Sequence, residues 1–193
     1  MGKIHTSHET VSRAYHKVRM ELWDLRVLWD GSKLDKVSCT YDSFALIPPI
    51  VGIMGLYYPD AKAIKIPAWY LPVLALFMDL SPKNTAVDVL RHEFAHALAD
   101  LYPRALSDGG LFKNAFGGAY GTNPAKGTDP DDWEDRCVSG YAATATQEDF
   151  AETFMLYMKH KGKVPAKFAK KPAIRRKWKA VAEIVRRVAA SPR

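Results

Sequence analysis

Residues 81–103 read SPKNTAVDVLRHEFAHALADLYP, and this stretch decides the fold. Ser81-Pro82 supplies a helix start with proline in the first turn. Val87, Leu90, Phe94, Leu98 and Leu101 then share one apolar face that stops at Pro103, so the spacing predicts an amphipathic helix. Inside it lies His92-Glu93-Phe94-Ala95-His96, the pattern H-E-x-x-H. At about 100° per residue, His92 and His96 are about 40° apart and one turn along, so both imidazoles can face one metal ion. Glu93 falls about 60° from His96. That is too far round to join the same ligand set easily, yet near enough to reach a water on the metal, the position of a general base in a zinc hydrolase. Imidazole nitrogen with carboxylate oxygen suits zinc, and a catalytic site needs three protein ligands with one position open. A third ligand must come from elsewhere in the chain.

Glu148-Asp149-Phe150-Ala151-Glu152 is the candidate source. Glu148 and Glu152 are an i, i+4 pair, so their carboxylates leave one face of a second helix, predicted from Thr146 to about Lys159 with Asp149 at capping-box spacing. Phe150, Ala151, Phe154 and Met155 make the rest of this helix apolar, and carboxylates on a buried helix need partners. One carboxylate can bind zinc while the other accepts a hydrogen bond from the free ring nitrogen of a ligand histidine. Another source stays open: Gly127-Thr128-Asp129, with Asp131 and Asp132 nearby, is a loose echo of the segment that gives Asp-type zincins their third ligand. A metzincin continuation is excluded, because its glycine and third histidine would stand where Ala99 and Tyr102 do. Asp100, one turn beyond His96, is readable as a support for the site or as a surface aspartate.

The combination of HEFAH, EDFAETF and Tyr141 seven residues before Glu148 resembles the glutamate-type zincins, most closely the catalytic domain of anthrax lethal factor and the Pro-Pro endopeptidases. The resemblance covers roughly residues 82–160. It implies that His92, His96 and Glu148 hold one Zn2+ per chain, that Glu93 is the base, and that Glu152 supports a histidine ligand. It further implies that Tyr141 donates to the developing oxyanion, in a hydrolase acting on a peptide or protein substrate. A zincin-like fold follows from it too, with a sheet before the active-site helix whose edge strand aligns the substrate. Lys62–Pro67 is the candidate edge. The toxin's domains for partner binding and delivery have no counterpart, so intoxication of host cells is not implied.

Length and composition agree with one α+β domain spanning residues 1–193, with a small sheet and a mostly helical C-terminal half. With 48% hydrophobic and 25% charged residues, collagen-like, low-complexity and wholly disordered classes are excluded. No apolar run reaches the ~18 residues of a membrane helix, and the polar start MGKIHTSHET makes a cytoplasmic location the expectation. Cys39 and Cys137 form no paired motif and read as buried thiols. His5, His8, His16 and His160 lack partner spacing and read as surface residues.

The remaining elements follow from period and turn chemistry. Thr6 and Glu9 stand at capping-box spacing, and Val11, Tyr15, Val18, Leu22, Leu25 and Trp29 predict a helix that ends near Gly31. Val51–Tyr58 and Lys62–Pro67 predict a hairpin around Pro59-Asp60. Residues 107–135, rich in Gly, Asn, Asp and Pro, read as a long irregular excursion, and Ile174–Val188 as a terminal helix.

Charge is uneven along the chain. From residue 159 to the end there are 13 Lys and Arg against the single acid Glu183, in a chain of net charge +7. The basic segment of about 161–193 is therefore a candidate surface for an anionic partner or an ordinary solvated helix. It raises two rivals to the peptidase reading: a DNA-associated metallopeptidase of the SprT-like kind, and a non-enzymatic zinc-containing nucleic-acid-binding protein. The absence of a cysteine-based zinc ribbon opposes the first. The presence of Glu93 and Tyr141 opposes the second, since a structural zinc site has no use for a base and an oxyanion donor.

Overall fold

The computed structural model describes residues 8–42, 55–67, 85–122 and 133–191. The first helix, α1 (His8–Asp24), buries Val11, Ala14, Val18 and Leu22 at steps of three and four. It stops earlier than its apolar pattern predicts. Arg26 takes a left-handed φ of 58°, and the amides of Val27 and Leu28 return to the carbonyl of Leu22, which folds both side chains into the core. Leu25 and Trp29 thus follow the helix rather than continuing it.

Three short strands form one sheet in the order β1-β3-β2, where β1 is Ser38–Asp42, β2 Leu56–Tyr58 and β3 Ala63–Pro67. The hairpin expected around Pro59-Asp60 is present as the antiparallel pair β2 and β3, with Tyr57 opposite Ile64. Its upstream residues 51–54 lie outside the described residues. The candidate edge strand is a correction. β3 is central, because β1 pairs with it in parallel register, Cys39 opposite Ile64 and Tyr41 opposite Ile66. Among the described residues the edges are β1 and β2. Ser38-Cys39-Thr40-Tyr41-Asp42 has no apolar alternation to announce a strand.

The motif helix, α2 (Ala86–Leu101), is buried on nearly every side. Its start is not Ser81-Pro82, which lies outside the described residues: Thr85 is the N-cap, and a capping box joins it to Asp88. Asp88 then serves as an electrostatic hub. It takes Arg91 at 2.7 Å and Lys159 at 2.9 Å, while Arg91 reaches Glu21 at 2.6 Å, so α2 is tied both to α1 and to the helix that ends at Lys159.

Residues 107–135 carry more helix than expected. After α3 (Pro103–Ser107), which ends at the first residue of the span, short helices α4 (Leu111–Phe116) and α5 (Trp133–Arg136) occupy part of it, and Gly117, at φ 81°, closes α4 in the left-handed cap that glycine permits. Then come α6 (Thr146–Lys159) and α7 (Pro172–Ala189), both where period predicts them. Thr146 and Asp149 do not form the expected capping box. Ala145 is the N-cap without a side-chain bond, and the Thr146 hydroxyl bonds the carbonyls of Ala119 and Thr122 at 2.7 and 2.9 Å. Phe94, Phe150, Phe154, Leu90, Leu98, Val181 and Ile184 make the fully buried centre, so the basic C-terminal helix contributes to the same core as the motif helix. No helix among the described residues is long and apolar enough to cross a membrane.

Candidate metal centre

Helices α2 and α6 pack face to face, and this brings the two halves of the motif together. His92 Nε2 lies 3.1 Å from His96 Nε2 and 3.1 Å from Glu148 Oε2, and His96 Nε2 lies 3.6 Å from the same carboxylate oxygen. Zinc bonds of about 2.0–2.1 Å at tetrahedral angles require ligand atoms about 3.3–3.4 Å apart. The triangle has that size, and it is the one group of three or more metal-binding side chains found among the described residues. The donor set of two neutral nitrogens and one carboxylate suits zinc. The residues present therefore fit the ion. Gly127-Thr128-Asp129, Asp131 and Asp132 lie outside the described residues.

Each histidine has its second nitrogen occupied. His92 Nδ1 faces Glu152 Oε1 at 3.0 Å, and His96 Nδ1 faces the Tyr120 hydroxyl at 2.7 Å. When Nε2 binds a metal, Nδ1 carries the proton; the Glu152 carboxylate, which can only accept, favours that arrangement in His92, and the Tyr120 hydroxyl is able to accept from the same position of His96. Glu152 is held in turn by the Ser139 hydroxyl, which donates to Oε2 at 2.8 Å. Asp100 is exposed, as its reading as a surface aspartate expects, and it accepts a hydrogen bond from the Tyr57 hydroxyl at 3.0 Å.

Burial and charge set the ionisation of these groups. Burial works against a charged His92 ring, but hydrogen bonds with Glu148 and Glu152 outweigh it and push the pKa up to about 10. Burial likewise opposes an ionised Glu148, and the hydrogen bonds from His92 and His96 overcome that and hold it well below the usual carboxylate range. Glu93 differs. Burial lifts it above its ordinary value, against the pull of His92, His96 and the Tyr57 amide that it accepts from. It is thus a carboxylate biased towards taking a proton.

Tyr141 sits on the turn that precedes α6, 46% exposed, with its ring 5.9 Å from that of His92. Burial of its hydroxyl, the charge of Glu148 and a hydrogen bond to that carboxylate keep the phenol protonated well above its ordinary range. It therefore stays a donor.

A family model described as "Putative zinc-binding metallo-peptidase" matches residues 80–182, from the approach to α2 into α7. The chain belongs to this family. The match includes both halves of the metallopeptidase's His92, His96 and Glu148 cluster, and it leaves the three-stranded sheet outside. No curated protein and no solved structure matches the chain.

The structure adds residues around this metallopeptidase centre that local sequence patterns do not single out. Ser139, Tyr57 through its main-chain amide, and Gly55 are set by long-range packing. Tyr120 had a signal only as an aromatic in a glycine-flanked loop. Gly55 is close to the site for want of a side chain: a Cβ there would stand 3.0 Å from Glu93 Cγ and 2.8 Å from Val89 Cγ1.

Proposed function

We propose that the protein is a zinc-dependent peptidase of the glutamate-type zincin class, with one zinc per chain held by His92, His96 and Glu148. The observation that carries this reading is the triangle of Nε2, Nε2 and Oε2 atoms at 3.1, 3.1 and 3.6 Å, with Glu93 beside it on the same helix. Zinc bound there would supply Lewis-acid polarisation of a peptide carbonyl and an activated water. Glu93, whose proton affinity burial has raised, takes the proton of the attacking water and returns it to the leaving amine. Glu152 fixes the His92 ring from behind, and Tyr120 does the same for His96. Tyr141, a protonated phenol beside Glu148, donates to the carbonyl oxygen as negative charge grows on it.

The substrate-aligning strand in this reading is β2, not β3. Among the described residues β2 is an edge strand, its Leu56 and Tyr58 side chains are exposed, and the amide of Tyr57 between them bonds the base Glu93. An extended peptide added along such an edge gains main-chain hydrogen bonds next to the catalytic carboxylate.

The test is metal content by mass spectrometry together with cleavage of a peptide library. Wild type is expected to hold one zinc and to cleave; Glu93→Gln is expected to hold one zinc and not to cleave, since the amide keeps the shape but takes no proton. Equal zinc affinity in wild type and Glu148→Ala would remove the ligand assignment, and undiminished turnover by Glu93→Gln would remove the mechanism.

A further inference from the structure

Helix α7 presents a second candidate site that the metal chemistry does not use. Between α7, α4 and the turn Asp108–Gly110 lies an open groove of about 600 Å³, within the range of small-ligand sites. Arg175, Arg176 and Lys179 line it within little more than one helical turn. All three are exposed, and among the described residues none has an ion-pair or side-chain hydrogen-bond partner. The other cations of α7 are engaged: Lys177 with Asp149, and Arg186 and Arg187 with Glu183. Like charges at such spacing on a helix repel, so this cluster destabilises its own helix unless an anion lies between the side chains.

The rest of the groove narrows the choice of anion. Leu111, Ala115 and Ala180 form an apolar wall beside the cations, and Asn114 brings a side-chain amide that has no partner among the described residues. At the far end Arg187 is already spent on Glu183 and on the carbonyls of Ala105 and Asp108. The free positive charge is thus concentrated at one end and followed by an apolar stretch. A nucleic-acid backbone would call for cations repeated along the groove. A compact polyanionic head on a less polar body matches what is there, and paired guanidinium groups match phosphate oxygens by their forked geometry.

We infer that this groove is a binding site for a small organic ligand with a di- or triphosphate head, of nucleotide type. The phosphates lie among Arg175, Arg176 and Lys179, and the organic part lies along Leu111, Ala115 and Ala180 within reach of Asn114. Helix α4 connects the groove to the metal centre. Leu111, Asn114 and Ala115 line the groove, while Phe112 and Phe116 pack on Phe150, and Phe112 also meets Tyr120, the partner of His96. The inference does not depend on the peptidase reading, because binding is measured without turnover.

The experiment is calorimetric titration of the full chain, cleared of metal with a chelator, with adenosine triphosphate, inorganic tripolyphosphate and a twelve-nucleotide oligodeoxythymidine at one salt concentration. Saturable one-to-one binding of the triphosphate is expected, weaker binding of tripolyphosphate, and a loss of at least about tenfold in the double variant Arg176→Ser/Lys179→Ser. The altered side chains are solvent-exposed and their charges repel, so the variant is expected to melt no lower than wild type. If it melts lower, Asn114→Leu, which keeps every charge but fills the groove, must weaken the triphosphate instead. No saturable binding up to about 10 mM, or undiminished binding by the variants, overturns the site. Tripolyphosphate binding as tightly as the nucleotide, or the oligonucleotide binding more tightly, overturns the ligand class.

Discussion

Ser139 donates its hydroxyl to Glu152 Oε2 at 2.8 Å and accepts the amide of Ala142 at 3.1 Å, so one side chain clasps the turn bearing Tyr141 to the carboxylate behind His92. The carboxylate behind His92 and the turn that carries Tyr141, the proposed oxyanion donor, are therefore mechanically joined. Ser139→Ala should weaken zinc by roughly tenfold, the lower end for loss of an outer partner, and should lower kcat as well through the loosened turn. Competition with a fluorescent chelator and steady-state kinetics read the two effects. An effect on zinc affinity alone would separate the turn from the carboxylate.

Zinc affinity should depend on pH in a direction fixed by His92. Its Nε2 must lose a proton to bind metal, and the hydrogen bonds of Nε2 with Glu148 and of Nδ1 with Glu152 outweigh burial and keep the ring charged up to a pKa of about 10. From pH 6 to 8.5 the protonated form prevails, so each unit of added pH should tighten apparent zinc binding by about tenfold for the one proton released. Glu152→Gln removes one of the two carboxylates that retain the proton. The dependence should then level off at a lower pH than in wild type. A flat profile in wild type across this range would contradict the protonation of His92.

A Cβ on Gly55 would stand 2.8 Å from Val89 Cγ1 and 3.0 Å from both Glu93 Cγ and Ile66 Cδ1, so a side chain there needs its neighbours to shift. In Gly55→Ala the new methyl must displace Val89 or Glu93, both on a buried helix, or push β2 outward. Overpacking of this kind costs about 1–3 kcal/mol, read as a shift in the denaturant midpoint. Because the base moves and the ligands do not, kcat should fall while zinc content stays at one per chain.

Lys177 is buried at 5% exposure on α7 and pairs with Asp149, the neighbour of Glu148 on α6. It also donates to the Arg136 carbonyl at 2.6 Å. Burial raises Asp149 to about 6 in spite of the Lys177 charge beside it, which marks a pair that is costly to bury and costlier to split. Lys177→Met should destabilise the fold by about 3–5 kcal/mol, and adding Asp149→Asn should recover part of that loss. Chemical denaturation of the single and double variants measures both.

That pair also marks where sequence reading stops. The histidines of α2 and the glutamates of α6 were legible because helical period is local, and an i, i+4 spacing fixes a shared face before any tertiary contact forms. Asp149 was misread as a cap because capping-box spacing is local too, while its partner Lys177 lies 28 residues away in a segment that looked like surface charge. Strand β1 escaped for the same kind of reason. Ser38–Asp42 acquires its strand character from pairing with β3, and that pairing also moved the expected edge strand to the middle of the sheet. Tyr141 and Tyr120 show the remaining limit, for both are aromatic, both lie near glycines, and only the folded chain shows that one meets His96 and the other Glu148 and His92.

Tyr120 touches His96 from behind, whereas Tyr141 stands beside Glu148 with its ring against His92. Removing each hydroxyl should therefore have different consequences. Tyr120→Phe takes away the acceptor for His96 Nδ1–H, so zinc affinity should drop by about 10–100-fold and activity should return when zinc is supplied in excess. Tyr141→Phe takes away a donor needed only when the carbonyl oxygen becomes negative. It should lower kcat by roughly 10²-fold at saturating zinc and leave KM, zinc content and melting temperature nearly unchanged. Zinc titration of activity in the two variants distinguishes them, since added metal rescues the first and not the second. If zinc rescued Tyr141→Phe and failed to rescue Tyr120→Phe, the oxyanion donor would be Tyr120, and Tyr141 would be acting through Glu148 as a support for the metal.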